Sequence, residues 1–176
     1  IIGLTRLALD TELNLKQADY LRKILTSSMS LLNIINDILD FSKIEANRLK
    51  IENIDILLEE TLENTMSLFV VKAEEKGLKI SCEVDKDVPA VITGDPYRLG
   101  QVLNNVIGNA VKFTGKGEIH LKVETAEHSE ESCVLRFTVK DTGIGISSEQ
   151  IKMLFTPFQQ ANGSISRKYG GTGLGL

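Results

Sequence analysis

The stretch CVLRFTVKDTGIGI, residues 133–146, changes character at its middle, and that change is the key to the fold. From Cys133 to Asp141 apolar side chains alternate with polar ones, with Cys133, Leu135, Phe137 and Val139 on one parity, the pattern of a half-buried strand. At Asp141 the alternation stops and a glycine pair, Gly143 and Gly145, follows. By itself such a pair is as readily a turn as a ligand site.

Just upstream, EIHLKVET (118–125) alternates in the same way, and the acidic, polar segment 126–132 joins the two as a long-looped antiparallel hairpin. LKISCEV (78–84) reads as a third strand with Leu78, Ile80, Cys82 and Val84 facing inward. Helical segments separate these strands. Asp55 is the expected N-cap of a helix ending at Gly77, and Asp95-Pro96 opens another, with aspartate as cap and proline in the first turn. The expected class is α+β, a two-layer α/β sandwich whose mixed sheet is covered by helices on one face and wet on the other.

The N-terminal quarter is different. From Gln17 to about Ala46, Leu21, Ile24, Leu25, Leu31, Leu32, Ile35, Ile38 and Leu39 recur at steps that draw one stripe along a helix. The run Ile1 to Leu9 supplies an antiparallel partner across a turn in residues 10–16. Two helices bury too little alone, so a homodimer forming a four-helix bundle is expected. The reading divides the chain into a helical hairpin (1–46), a linker (47–55) and an α/β domain (56–176).

Net charge −4 and pI about 5.3 leave no global basic field to attract nucleic acid or an anionic membrane. No stretch reaches the roughly 18 apolar residues that span a bilayer, and the start, with Arg6, lacks a signal-peptide layout, so a cytoplasmic location without membrane contact is expected. Cys82 and Cys133 form no CxxC pair and read as small core residues. The chain begins inside an uncapped helical run and stops within GGTGLGL, as a fragment of a longer protein would.

Three segments point together to a nucleotide: NNVIGNAVKF (104–113) on a helix, DTGIGI (141–146) after a strand, and GGTGLGL (170–176) after a polar, aperiodic segment, 159–169, expected to be a mobile loop. This order of N box, D-x-G-x-G box, F box and second glycine box resembles the catalytic domain of sensor histidine kinases, in the superfamily shared with gyrase, Hsp90 and MutL. LLNIINDILDFSKIEANRLKIE (31–52) likewise resembles the second dimerisation helix and linker of those kinases, particularly the hybrid type.

The resemblance implies ATP as ligand, with Asp141 accepting a hydrogen bond from the adenine amine and Gly143 and Gly145 admitting the base against the main chain. It assigns Asn109 to the Mg²⁺ that bridges the phosphates. Asn105 and Lys112 share that helix face, Lys112 within reach of phosphate oxygens. In the loop before the second glycine box, Arg167 is the candidate for the γ-phosphate, with Lys168 beside it. Gly171, Thr172, Gly173, Leu174 and Gly175 would cradle phosphates at a nascent helix N-terminus. Phe155 and Phe158 resemble the F box and read as an anchor for the loop.

Hydrolases of the superfamily place a glutamate base where this chain has Asn105, and an amide cannot take a proton from water at neutral pH. The resemblance thus implies transfer of the γ-phosphoryl group to a histidine, then to a response-regulator receiver domain. The acceptor box is expected just before Ile1, because His120 lies on the polar parity of a strand and His128 in a loop. Two further readings stand beside it: an ATPase of the same fold, and a non-catalytic dimerisation or nucleotide-sensing module.

Overall fold

The computed structural model describes residues 1–129 and 132–151. They form two compact units, one of Ile1–Leu49 and one that begins at Lys50.

In the first unit α1 (Ile2–Leu9) packs on α2 (Leu15–Glu45). The second helix starts two residues earlier than its apolar stripe suggested, because Asn14 caps it. The Asn14 side chain accepts from the Gln17 backbone N–H at 2.9 Å, and the Gln17 side chain accepts from the Asn14 N–H at 3.0 Å, a reciprocal capping box. No residue of α2 is buried, and Leu31, Leu32, Ile35, Ile38 and Leu39 are all exposed.

The second unit runs β1 (Ile54–Leu57), α3 (Leu58–Glu75), β2 (Leu78–Val84), β3 (Val91–Gly94), α4 (Pro96–Phe113), β4 (Gly117–His128), β5 (Cys133–Asp141) and α5 (Ser148–Ile151). The main sheet has the order β2-β4-β5, with β2 parallel and β5 antiparallel to the central β4. A parallel pair needs a long crossover, which β3 and α4 provide. Ile119, Leu121 and Val123 of β4 are almost wholly buried against Leu58, Leu62 and Ala73 of α3 and Leu103, Ile107, Ala110 and Val111 of α4. Each large side chain in this layer stabilises the fold by roughly 1.5–3 kcal/mol.

The opposite sheet face carries polar pairs. Lys122 meets Asp85 at 3.1 Å and Glu124 at 2.8 Å, Arg136 meets Glu124 at 3.2 Å, and the Nδ1 of His120 lies 2.9 Å from the Ser81 hydroxyl. This is the two-layer arrangement the alternation implied. His120 is a surface residue of that face.

Three expectations fail. The first is the joining loop: β4 runs on through His128, which pairs with Cys133, so His128 is a strand residue and the loop is shorter than 126–132. Asp55 does not cap α3; it lies in β1, opposite Thr93 of β3 in a separate two-stranded antiparallel sheet, and α3 starts from Leu57 without a side-chain cap. The Leu58 N–H donates instead to the Ala90 carbonyl at 3.1 Å. A four-residue strand whose partner lies in 91–94 leaves too short an alternation to register in sequence. Cys82 and Val84 are exposed and Cys133 only half-buried. Their parity is right, but β2 is an edge strand, and the helices bury Leu78 more fully than its distal end.

The N-terminus of α4 forms as expected, and it also ties down the segment before β1. Asp95 accepts from the Arg98 N–H at 3.0 Å through one oxygen and from the Glu52 N–H at 3.1 Å through the other. These backbone donors, Arg98 first, hold the Asp95 carboxyl below its ordinary value of 3.8. Because the folded value is the depressed one, the stabilisation is complete above the unfolded value and is lost as pH falls through the folded one. Asp95→Ala should therefore lower the urea midpoint near neutrality, with the difference from the parent chain shrinking in acid below the ordinary carboxylate range.

Candidate functional site

The helix α4 presents two faces by its spacing. Leu103, Ile107, Ala110 and Val111 turn into the core, while Asn105, Asn109 and Lys112 share the other side and are half-buried. Burial disfavours the charged form of Lys112 and pushes its ammonium below the ordinary lysine value. Its Nζ lies 5.1 Å from the centre of the Phe113 ring.

The end of α4 is joined to the end of β5. Thr114, the C-cap of the helix, is fully buried, and its hydroxyl donates to Asp141 Oδ1 at 3.4 Å. The Gly143 N–H donates to the same oxygen at 2.8 Å, and the Ile144 N–H donates to the Phe113 carbonyl at 3.4 Å. Both contacts to Asp141 fall on Oδ1. Among the described residues Oδ2 makes no hydrogen bond, and Asp141 itself is exposed.

The two glycines of DTGIGI answer to different constraints. A Cβ on Gly143 would stand 2.7 Å from both Asp141 Oδ1 and the Phe113 carbonyl oxygen and 2.9 Å from Thr114 Oγ1, so this position allows no side chain. Gly145 has φ +68°, a left-handed conformation that glycine adopts without strain. Between Asp141 and Gly143, the Thr142 hydroxyl accepts from the Glu118 N–H at 3.0 Å and so pins the glycine turn to β4.

The structure thus brings Asp141 and Gly143 against the last turn of the helix that carries Asn105, Asn109 and Lys112. Arg167, Lys168, Gly171, Thr172, Gly173, Leu174 and Gly175, with Phe155, Phe158 and the 159–169 segment, lie outside the described residues. Thr114 and Thr142 were not singled out from the sequence. A threonine directly after the helical NNVIGNAVKF run was the available signal for the first, as a polar residue at a helix end facing a sheet.

The described residues contain no group of three or more His, Cys, Asp or Glu side chains able to hold a metal. On α4 the oxygen donors are neutral amides. That donor set is too weak for a resident divalent cation but fits a Mg²⁺ that arrives with phosphates and keeps several waters.

Residues 94–176 match the family model described as histidine kinase-, DNA gyrase B-, and HSP90-like ATPase. This unit is accordingly an ATP-binding domain of that class. Residues 1–47 match the His Kinase A (phospho-acceptor) domain. Signal transduction histidine-protein kinase BarA of Escherichia coli (strain K12) is 46% identical over 176 residues, covering 100% of this chain and 19% of BarA. Two solved structures are similar. Full-length ShkA in complex with AMPPNP has TM-score 0.75 and 31% identity, over 99% of this chain and 35% of that one. Histidine kinase ThkA in complex with the response regulator protein TrrA has TM-score 0.62 and 27% identity, over 95% of this chain and 48% of that one. With its hairpin and its ATP-binding domain both matched, the chain belongs to the sensor histidine kinase family. It spans about a fifth of the length of the BarA relative.

Gly143→Ala tests the junction without any ligand. The added methyl must displace either the Asp141 carboxylate or the Phe113 backbone, so a loss of about 1–3 kcal/mol in urea unfolding is expected. Unchanged stability would mean that the glycine turn and α4 do not meet as described.

Proposed function

We propose that the chain is the phosphoryl-donor part of a histidine kinase, binding Mg-ATP at the junction of α4 with the end of β5 and donating its γ-phosphoryl group to a histidine. The observation that carries this reading is the Asp141 carboxylate. One oxygen is held by the Gly143 N–H and the Thr114 hydroxyl, and among the described residues none donates to the other, where an outside donor could bind. An adenine amine is such a donor, whereas guanine would turn a carbonyl oxygen toward the carboxylate and be repelled.

Asn109 would supply an amide oxygen to Mg²⁺, which when bound neutralises phosphate charge, and Lys112 would neutralise more of it from the same helix face. The lowered affinity of Lys112 for its proton reflects burial, and an incoming phosphate would restore it. Arg167 is our choice for the γ-phosphate, with Lys168 and Gly171, Thr172, Gly173, Leu174 and Gly175 closing around the phosphates. Asn105 stands where a hydrolase has its base, and a neutral amide there spares ATP from water. The acceptor histidine lies outside these 176 residues, since histidine occurs only at 120 and 128, on or at the end of β4.

The partners follow from the same reading. The exposed apolar stripe of α2 is the surface of a homodimer, residues 1–46 forming the dimerisation hairpin; the linker expected at 47–55 ends before β1, and the catalytic domain takes in Ile54 and Asp55 of that strand. A response-regulator receiver domain is the second partner, supported by the response regulator bound to ThkA. Among the described residues no helix is long and apolar enough to cross a membrane. The donor works where ATP is found, in the cytoplasm.

Titration with a fluorescent ATP analogue in the presence of Mg²⁺ should show saturable binding that Asp141→Ala abolishes, and the chain alone should release little phosphate. Rapid hydrolysis would instead mark an ATPase of the same fold, and unchanged binding by Asp141→Ala would overturn the site. For the hairpin, Ile35→Glu should convert a dimer to a monomer in sedimentation, because it places a charge in the middle of the apolar stripe. A monomeric parent chain would remove the dimer from the proposal.

A further inference from the structure

The last four carbonyls of any helix lack partners within it. In α4 each of the four has a donor. The Ala110 carbonyl accepts from the Thr114 N–H at 3.0 Å, and the Phe113 carbonyl accepts from the Ile144 N–H at 3.4 Å. The two between them, Val111 and Lys112, are served by one side chain: Lys76 Nζ lies 2.6 Å from the Val111 oxygen and 3.3 Å from that of Lys112.

Lys76 belongs to the other helix of the layer. It is the C-cap of α3, 35 residues before Val111, and its side chain reaches across to close the end of α4. Lys76 itself is exposed, and the reach gives its ammonium two acceptors besides water. The ammonium meets the negative end of a helix dipole and the carbonyls of Val111 and Lys112. The Lys112 ammonium, nearer in sequence, is placed against the Phe113 ring instead.

The turn that Lys76 closes is the turn on which the nucleotide junction rests. Phe113 holds Ile144 and abuts Gly143, and Thr114 holds Asp141. If the Val111 and Lys112 carbonyls lose their donor, the last turn frays and takes with it the surface against which the glycine turn is seated. We propose that Lys76 is a positioning residue of the adenine-nucleotide site, acting through the C-terminal turn of α4 rather than by touching the ligand. This rests on the nucleotide reading above.

The test compares the 176-residue chain with Lys76→Met and Lys76→Arg, using a fluorescent ATP analogue with Mg²⁺ and backbone amide exchange without nucleotide. Lys76→Met should weaken binding roughly tenfold, the size of one hydrogen bond to a charged group. It should also speed exchange at Ile144 and Thr114 while leaving Leu121, in the centre of the sheet, unchanged. Lys76→Arg, which keeps charge and donors, should recover most of both effects. Normal binding by Lys76→Met, or faster exchange spread evenly through β4, would overturn the proposal by showing no role or only a general one. If the parent chain itself binds no nucleotide, the nucleotide reading falls and this proposal with it, an outcome told apart by the parent titration alone.

Discussion

Everything in the second unit depends on how the end of α4 is closed. A helix that ends against a sheet must find donors for its final carbonyls without admitting water to the core. Here they come from three directions: the following Thr114, the glycine turn after β5, and Lys76 from the neighbouring helix. Because the glycine turn is one of the donors, closing the helix also sets the place of Asp141. Gly143 makes the approach feasible, since its missing side chain leaves the Phe113 carbonyl and the Asp141 carboxylate in contact with the main chain. Stability and ligand geometry are here the same set of hydrogen bonds.

The core stands behind this junction and gives it rigidity. Ile107, Leu121 and Val123 show no exposure, so the helix face opposite Asn105 and Asn109 cannot roll without opening the tightest packing in the molecule. The polar face of α4 is thereby held in one orientation. The first unit is built on a different principle. Its long helix has no buried residue, so its apolar stripe contributes nothing to a core within the described residues.

Much of this was legible in the chain itself. Alternation located β2, β4 and β5, and Asp95-Pro96 located the start of α4, because each signal is local and repeats over enough residues to stand out. β1 and β3 were not legible. They are four residues each, and what makes them strands is their pairing with one another across the intervening α3 and β2. The same limit applies to the exposure of Cys82: its parity follows from the pleat, but its burial depends on which strand stands at the edge. In the site, the N box and the first glycine box were visible as motifs, whereas Thr114, Thr142 and Lys76 were not, since a hydroxyl or an ammonium shows its role only through its partner.

By itself the sequence carried a stripe for a helical hairpin, an alternating hairpin of strands, and asparagine and glycine boxes whose order resembles that of the sensor histidine kinases. These are properties of residue type and spacing, which survive any rearrangement in space. Only the tertiary structure decided that Gly143 and Thr114 both hold the same oxygen of Asp141, that α3 begins from a strand instead of a cap, and that a lysine at the end of α3 closes the helix carrying Asn109. Those facts depend on groups brought within hydrogen-bond reach from 27 to 36 residues away along the chain. Spacing along a sequence does not measure such a distance.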